Sequence, residues 1–335
     1  MSTPFFSVVV PTHGRVEQLD RCLRALGAQT HDSFEVIVAH PDDDDASAEV
    51  VAHHPQAVRV TVSERSQVAG LKAGFEAARG DIVCTIDDDA EAAPDWLARM
   101  AAHFADTTVG AVGGRDAQPR TPAVDGATVG RITYWGKLIG NHHVGSGPGR
   151  RVDVLKGVNM AVRREFLAIP VSLRGGATKD HYEVAMSLWV AREGSSLVYD
   201  PRVLVDHTPA ARVDGSERSP GDRFLARASA DNLVYSIASL RPDLVWRRAL
   251  FGVLVGDRGC PGLLRGMVGL MQGDRATWGR TAPSVRGQVE ALLRVARGRP
   301  MRMQRIAEGT TIVPVSPSRR RTGRSQASPD AGGRR

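Results

Sequence analysis

The chain has 335 residues, 42% of them hydrophobic, with 44 Lys and Arg, 37 Asp and Glu and three cysteines. This composition is ordinary for a globular protein of about two domains, and it excludes wholesale disorder, a disulfide framework and a thiolate zinc site. Residues 1–240 carry 25 basic and 31 acidic side chains, a net charge of −6, whereas residues 241–335 carry 19 and 6, a net charge of +13. An acidic body is thus joined to a basic end, which indicates contact with an anionic surface.

The sequence lacks two patterns that would place the protein in or across a membrane. No apolar run reaches the roughly 18 residues that predict a membrane-spanning helix. The N-terminal segment MSTPFFSVVVPT lacks the basic region of a signal peptide and continues directly into a strand pattern. We therefore expect a cytoplasmic protein.

Short β-branched runs alternate with helical patterns over the first 115 residues. Strands are predicted at 5–10, 34–39, 58–62, 82–86 and 109–112, and helices at 16–26, 68–78 and 94–104. Such alternation is typical of an α/β domain with a mostly parallel sheet. Residues 116–150 are rich in Gly and Pro and are predicted to form a long loop region. After them we expect a strand at 152–155, a helix at 181–192 and extended segments at 196–199 and 203–205.

The C-terminal third has a different pattern. Helices are predicted at 225–240, 244–255, 262–271 and 285–295, with Arg among the apolar residues. We divide the chain into an α/β domain (1–215), a helical Arg-rich extension (216–313) and a disordered basic tail (314–335). Amphipathic helices with abundant Arg predict association with an anionic membrane surface. The alternative is an ordinary helical subdomain packed on the sheet.

Polar side chains follow three predicted strands at their carboxyl ends, which is where open α/β sheets bind ligands. The first strand is followed by PTHGR, the second by His40 and Asp42, and the fourth by Asp87–Asp89. Adjacent carboxylates repel one another, and a hard cation such as Mg²⁺ or Mn²⁺ relieves that repulsion and can hold a diphosphate. A solvated acidic turn that caps the next helix is the alternative. PTHGR has a single glycine, which excludes a dinucleotide-binding GxGxxG turn, and no P-loop pattern occurs.

Several blocks follow one another in a particular order: SVVVPTHGR, FEVIVA, VAGLKAGFEAARGDIVCTIDDDA, GAVGG, VLKGVNMAVRREFL and EVAMSLWVAREGSSLVYDPRVLVDHTP. In this order the chain resembles family-two glycosyltransferases over residues 5–210. The resemblance implies the GT-A fold, in which a Rossmann-like, mostly parallel sheet forms the core, here followed by a helical extension. It also implies metal-dependent, inverting transfer of a sugar from a nucleoside-diphosphate donor to a hydroxyl of a saccharide or lipid-linked acceptor. The implied setting is cell-surface polysaccharide or glycolipid synthesis at the cytoplasmic face of the membrane.

The resemblance also implies roles for individual residues. On the donor side these are Pro11, Thr12, Arg15, His40, Asp42, Lys72, Asp87 and Asp88. Asp87, Asp89 and His207 match positions at the divalent metal, which is Mn²⁺ or Mg²⁺. Gly157, Asn159 and Trp135 are expected on the acceptor side, with core packing as an equal alternative for Trp135. Glu183 matches the catalytic carboxylate, and Asp180 is its rival for the role of general base.

Two departures from the family pattern concern the donor. The family commonly has an Asp at the end of the second strand that holds the nucleotide base, whereas this chain has Ala39-His40-Pro41 there, with Asp42 slightly later. The family's Arg-Asn pair ahead of the helix corresponds to Leu71-Lys72, where Lys72 retains one positive charge that could meet the diphosphate. The donor's base and sugar therefore stay open.

Three other functions are alternatives. A sugar-nucleotide nucleotidyltransferase should have a Gly-rich basic loop after the first strand, and PTHGRVEQ offers one Gly and one Arg. A non-catalytic protein that binds through its basic end is the second alternative. We expect no nucleic-acid partner, because no nucleic-acid module accompanies the Arg residues and the body is acidic. An enzyme that has lost its activity is the third alternative.

Overall fold

The computed structural model describes residues 4–176, 179–210 and 222–306, together with the backbone of 312–314. The strands are β1 (Phe6–Pro11), β2 (Phe34–Pro41), β3 (Ala57–Val62), β4 (Ile82–Ile86), β5 (Ala90–Ala92), β6 (Val109–Ala117), β7 (Arg131–Ile132), β8 (Leu138–Ile139), β9 (Arg150–Val152), β10 (Asn159–Arg163), β11 (Ala168–Pro170), β12 (Ser196–His207), β13 (Arg302–Arg305) and β14 (Ile312–Pro314). The α-helices are α1 (Val16–Gly27), α2 (Asp45–Ala52), α3 (Gln67–Ala77), α4 (Trp96–Phe104), α5 (Tyr182–Arg192), α6 (Arg223–Leu240), α7 (Val245–Leu254), α8 (Leu263–Met271) and α9 (Arg275–Ala296).

The main sheet has the strand order β3-β2-β1-β4-β10-β6-β12-β5, and β9 also pairs with β12. Strands β3, β2, β1 and β4 are parallel, as are β6 and β12, whereas β10 runs antiparallel between β4 and β6. The predicted α/β fold with a mostly parallel central sheet is therefore confirmed. Strand β10 was not predicted, and the two extended segments expected at 196–199 and 203–205 form one strand with a register shift after Asp200.

Helices cover both faces of this sheet because its central strands are apolar on both sides. Every residue of β1 and β4 is buried, which is characteristic of parallel strands between helical layers. Val8 and Val10 belong to a cluster that contains side chains of α1 and α4. Val9, which points the other way, belongs to a cluster that contains side chains of α3, α5 and α6. The alternation along β1 thus builds a three-layer domain.

The helical extension packs onto the α/β domain. Helix α6 contacts α5 and α9, and its buried side chains belong to the same apolar cluster as Val9. Strand β13 pairs with β11, which joins the end of the extension to the segment after β10. The predicted boundary at 215/216 lies outside the described residues, as does the tail beyond Pro314. Within the described residues, every helix is too short or too polar to cross a bilayer.

Candidate active site

Asp87, Asp88 and Asp89 follow β4 and meet the loop that follows β1. The Thr12 hydroxyl donates a hydrogen bond to Asp88 Oδ2 (2.7 Å), and Arg15 donates to Asp88 Oδ1 (2.7 Å) and Asp89 Oδ2 (3.3 Å). These contacts form because β1 and β4 are parallel neighbours, so their carboxyl ends lie side by side. The structure therefore brings Thr12 and Arg15 to the acidic turn, and their role in donor binding stays a prediction.

His207 joins this group through the register of two strands. Strand β5 starts directly after Asp89 and pairs antiparallel with β12, so that Ala90 lies opposite His207. His207 Nε2 is 3.4 Å from Asp89 Oδ1, and potential ligand atoms of Asp87, Asp89 and His207 all lie within 4.8 Å of one another. Asp89 Oδ1 is buried and accepts no hydrogen bond from the described residues. An oxygen-rich group with one imidazole, in which a buried carboxylate oxygen accepts no hydrogen bond, fits Mn²⁺ or Mg²⁺.

The electrostatics of this group favour a cation. Burial, together with the neighbouring Asp89 carboxylate, raises the pKa of Asp87 to about 6. Burial lowers the pKa of His207, but the carboxylates of Asp116 and Asp89 outweigh it and raise that pKa to about 9. In the absence of a metal, the imidazolium therefore contributes positive charge to this acidic group, together with Arg15 and Lys156. A divalent cation can replace it, with release of the proton.

Asp116, at the end of β6, was not predicted as a site residue. Its side chain is buried, with Oδ2 3.5 Å from His207 Nδ1 and in an ion pair with Lys156. Burial raises the pKa of Asp116, but His207 and Lys156 lower it to about 2, so this carboxylate stays ionised. A carboxylate on the far nitrogen orients an imidazole toward a metal, so Asp116 would position His207 if His207 binds one.

We expect Asp116→Asn to weaken Mn²⁺ binding by about 10–100-fold, because the amide no longer orients the imidazole or stabilises its bound form. Isothermal titration of the purified variants with MnCl₂ measures this directly. Asp206→Asn, an exposed carboxylate on the same strand as His207, is the matched control and should bind Mn²⁺ like the wild type. Equal affinities of Asp116→Asn and the wild type would contradict the positioning role.

A cleft of about 520 Å³ opens beside the acidic turn. One wall comes from the α/β domain and includes Asp87, Lys156 and Glu183. The other comes from the helical extension and includes Arg258, in the loop between α7 and α8, and Arg280 on α9. The extension therefore completes the cleft, although its sequence carries no motif that shows this.

The two rival carboxylates, Glu183 and Asp180, both line the cleft. Glu183 lies in the first turn of α5 and is 4.0 Å from His181 Nδ1. Burial raises the pKa of Glu183, the nearby charge of Asp180 acts in the same direction, and His181 opposes both. A carboxylate with a raised pKa in a cleft is suited to accept a proton from a hydroxyl.

Gly157 also lines the cleft, and its lack of a side chain is a steric requirement. A Cβ at this position would lie 2.0 Å from the Tyr182 hydroxyl oxygen. We expect Gly157→Ala to lower the free energy of unfolding by about 1–3 kcal/mol, measured by urea denaturation, because the clash displaces buried Tyr182. Gly279→Ala, in a helix with open space around it, is the control and should stabilise by up to about 1 kcal/mol. Similar losses in both variants would contradict the steric account.

Three of the predicted site residues lie elsewhere or are used differently. Lys72 Nζ is 3.2 Å from Glu76 on the surface of α3, and the side chain of α3 that reaches Asp87 is Gln67 (3.1 Å). Asn159 is fully buried, accepts a hydrogen bond from Trp96 and donates to two backbone carbonyls, so it stabilises the sheet and does not face an acceptor. Trp135 is 45% exposed and packs edge-to-face against Trp246, outside the cleft.

The end of β2 places His40 and Asp42, both predicted on the donor side, in different surroundings. His40 is buried, and its Nδ1 atom is 2.7 Å from the carbonyl oxygen of Pro41. Asp42 is exposed, and its backbone amide donates to Val62. Asp44 caps α2 and accepts a hydrogen bond from the Gly14 amide, so one member of the acidic run has a structural role. Pro11 is the last residue of β1 and leads into the Thr12 contact.

Comparison with known proteins confirms the resemblance. The model of glycosyl transferase family 2 matches residues 7–151. Glycosyltransferase AglE of Haloferax volcanii is 27% identical over 118 residues, which are 33% of this chain and 39% of that protein. An undecaprenyl-phosphate 4-deoxy-4-formamido-L-arabinose transferase of Pseudomonas fluorescens is 29% identical over 107 residues, which are 29% of this chain and 32% of that protein. The chain therefore matches only about a third of the length of these curated relatives.

A solved structure resembles nearly the whole chain. It is the mannosyltransferase PcManGT of Pyrobaculum calidifontis in complex with GDP-Man and Mn²⁺, with a TM-score of 0.51 at 20% identity. The similarity covers 89% of this chain and 88% of that one. At this identity the match establishes the fold, which is the GT-A fold.

Proposed function

We propose that this chain, whose residues 7–151 match family-two glycosyltransferases, transfers a sugar from a nucleoside-diphosphate donor to an acceptor hydroxyl with inversion. One observation carries the proposal: the acidic turn with His207 lies at the carboxyl edge of the sheet, beside a cleft that also contains Glu183. Sugar transfer requires a group that stabilises the leaving diphosphate of the donor and a base that accepts the proton of the acceptor hydroxyl. The cleft supplies residues of both kinds.

Asp87, Asp89 and His207 would hold Mn²⁺ or Mg²⁺, which when bound stabilises the negative charge of the leaving diphosphate. Arg15 neutralises Asp88 and Asp89, and Lys156 contributes a cation to the wall of the cleft. Glu183 accepts the proton of the acceptor hydroxyl as that oxygen attacks the anomeric carbon. A single displacement inverts this carbon, and the anomeric-proton coupling of the product, measured by NMR, tests the inversion.

The acceptor is proposed to be lipid-linked or a saccharide, and the enzyme to act on the inner face of the cell membrane. Two observations support a lipid-linked acceptor. The relative from Pseudomonas fluorescens is named an undecaprenyl-phosphate 4-deoxy-4-formamido-L-arabinose transferase. In this chain the wall of the cleft that comes from the extension carries Arg258 and Arg280, which can bind a phosphate of the acceptor.

The experiment measures the release of nucleoside diphosphate from a panel of UDP-, GDP- and dTDP-sugars, with Mn²⁺ or Mg²⁺ either present or chelated. Binding of each donor is measured in parallel by calorimetry, because release can require the acceptor. Metal-dependent release from one donor identifies that donor and supports transfer. Pyrophosphate release from a nucleoside triphosphate and a sugar phosphate would instead support a nucleotidyltransferase. Failure to bind any donor or metal would overturn the proposal.

A further inference from the structure

Helices α7, α8 and the start of α9 expose large apolar side chains at high density. The described residues expose nineteen large hydrophobic side chains, and ten of these fall between residues 246 and 278. They are Trp246, Leu250, Leu254, Leu263, Leu264, Met267, Val268, Leu270, Met271 and Trp278, each at least 40% exposed. Helix α8 packs against α7 and α9, so these side chains belong to one region, here called the apolar face. Concentrations of this kind mark a site of interaction.

Helix α8 buries small residues and exposes large apolar ones, the reverse of the usual arrangement in a surface helix of a globular domain. Its buried positions are Gly266 and Gly269, and a Cβ at either would contact Thr281 or Thr277 of α9. Its large apolar residues point the other way. A surface helix normally turns its large apolar residues toward the core. The exposed apolar residues of α8 therefore serve something outside the described fold.

Arginines accompany the apolar face. Arg258 and Arg275 are exposed, and Arg247 lies over the rings of Tyr134 (4.2 Å) and Trp246 (5.4 Å). Both acidic residues of this region are used within the fold, since Asp257 pairs with buried Arg248 and Asp274 caps α9. The region therefore presents apolar side chains together with cations. This combination is complementary to a bilayer with anionic head groups, in which Trp favours the interface.

Position and length are consistent with a helix that lies in the plane of the interface. The nine residues of α8 extend about 14 Å, well short of the roughly 30 Å hydrocarbon core. The loop between α7 and α8 places Arg258 at the wall of the cleft. A lipid held at the apolar face therefore lies close to the cleft.

We propose that the apolar face docks onto the surface of a bilayer that contains anionic lipid, with Trp246, Leu264 and Met267 inserted among the head groups and arginines bound to phosphates. The apolar face is thus the surface that meets the membrane. Docking serves the transfer proposed above, but docking itself requires neither donor nor metal. Failure of docking and failure of transfer are therefore measured separately.

The test is co-sedimentation of the full chain, without nucleotide sugar, with vesicles of phosphatidylcholine alone or of equimolar phosphatidylcholine and phosphatidylglycerol. We expect binding to the anionic vesicles that weakens as salt is raised, and at least tenfold weaker binding for the double variant Leu264→Glu, Met267→Glu. Leu293→Glu replaces a similarly exposed leucine of α9 outside the apolar face and should bind like the wild type. Unchanged binding by the double variant would overturn the proposal.

A second measurement needs no variant of α8. Brominated lipid should quench tryptophan fluorescence of the wild type, and Trp246→Phe should reduce the quenched fraction. Absence of quenching in the wild type would overturn the proposal. Sedimentation velocity tests whether a second copy of the chain covers the apolar face instead of a membrane. A wild-type dimer that the double variant dissociates, with no vesicle binding by either protein, would assign the face to that contact and overturn docking.

Discussion

Asp89→Asn should lower metal-dependent transfer on the order of 10³-fold, the largest loss expected at the donor side of the site. The amide keeps an oxygen that can accept the hydrogen bond from the Ala210 amide (2.9 Å), so the local fold is retained. It removes the charge that, together with Asp87, attracts the cation. The initial rate of nucleoside diphosphate release at saturating donor, measured against Mn²⁺ concentration, reports the loss.

The control for this variant is Asp95→Asn, which removes a half-exposed carboxylate whose partner is Arg99 on the surface of α4. Surface ion pairs of this type contribute little, so its rate and stability should stay near those of the wild type. Thermal unfolding of both variants separates a lost site from a lost fold. A full rate for Asp89→Asn with unchanged Mn²⁺ affinity would show that the acidic turn does not hold the metal.

The contacts of the acidic turn could be predicted because they depend on one general property of the fold. Asp87–Asp89 and Thr12 follow neighbouring parallel strands, and parallel neighbours bring their carboxyl ends together whatever the loops do. The same rule would have placed Asp116 at the site if the predicted fifth strand had extended to Ala117. The predicted strand ended at Val112, but β6 continues to Ala117. The glycines that follow Val112 allow close approach by the neighbouring strands: a Cβ on Gly113 would clash with Asn159, and one on Gly114 with Val203.

The second wall of the cleft could not be predicted, because it depends on packing between distant segments. Arg258 and Arg280 reach the cleft only through the packing of α6 against α5 and of α9 against α6. Periodicity located α8 and left two interpretations open, a membrane-facing helix or a helix packed on the sheet, since a pattern of apolar residues does not show which side is covered. The inner glycines Gly266 and Gly269 were the available signal: only a close neighbour requires small residues at that spacing.

Asn159 shows the limit of carrying a role over from a motif. The block VLKGVNM does line the site, through Lys156, Gly157 and Val158. Asn159 begins β10, the antiparallel strand that the sequence pattern did not reveal, and its side chain turns into the sheet. One additional strand therefore moved this residue from the expected acceptor side to the core, while the three residues before it line the cleft.

Glu183→Gln should lower kcat by about 10²–10⁴-fold, because the amide cannot accept the proton of the acceptor hydroxyl. The affinity for the donor should change little, since the donor-side contacts come from other elements. Steady-state kinetics with the donor that the release assay identifies, together with calorimetric donor binding, separates the two effects. A variant that loses donor binding as well as kcat would assign Glu183 to the donor and not to the base.

Asp180→Asn distinguishes the two carboxylates by its pH profile. Burial raises the pKa of Glu183, so the wild-type rate should fall with decreasing pH at a higher pH than an ordinary glutamate would give, because the base is active only when ionised. The Asp180 charge contributes to that shift, and its removal lowers the pKa of Glu183. Asp180→Asn should therefore keep a substantial kcat and move the acidic limb to lower pH. If Asp180 were the base, the same substitution would abolish the rate at every pH, whereas Glu183→Gln would remain active.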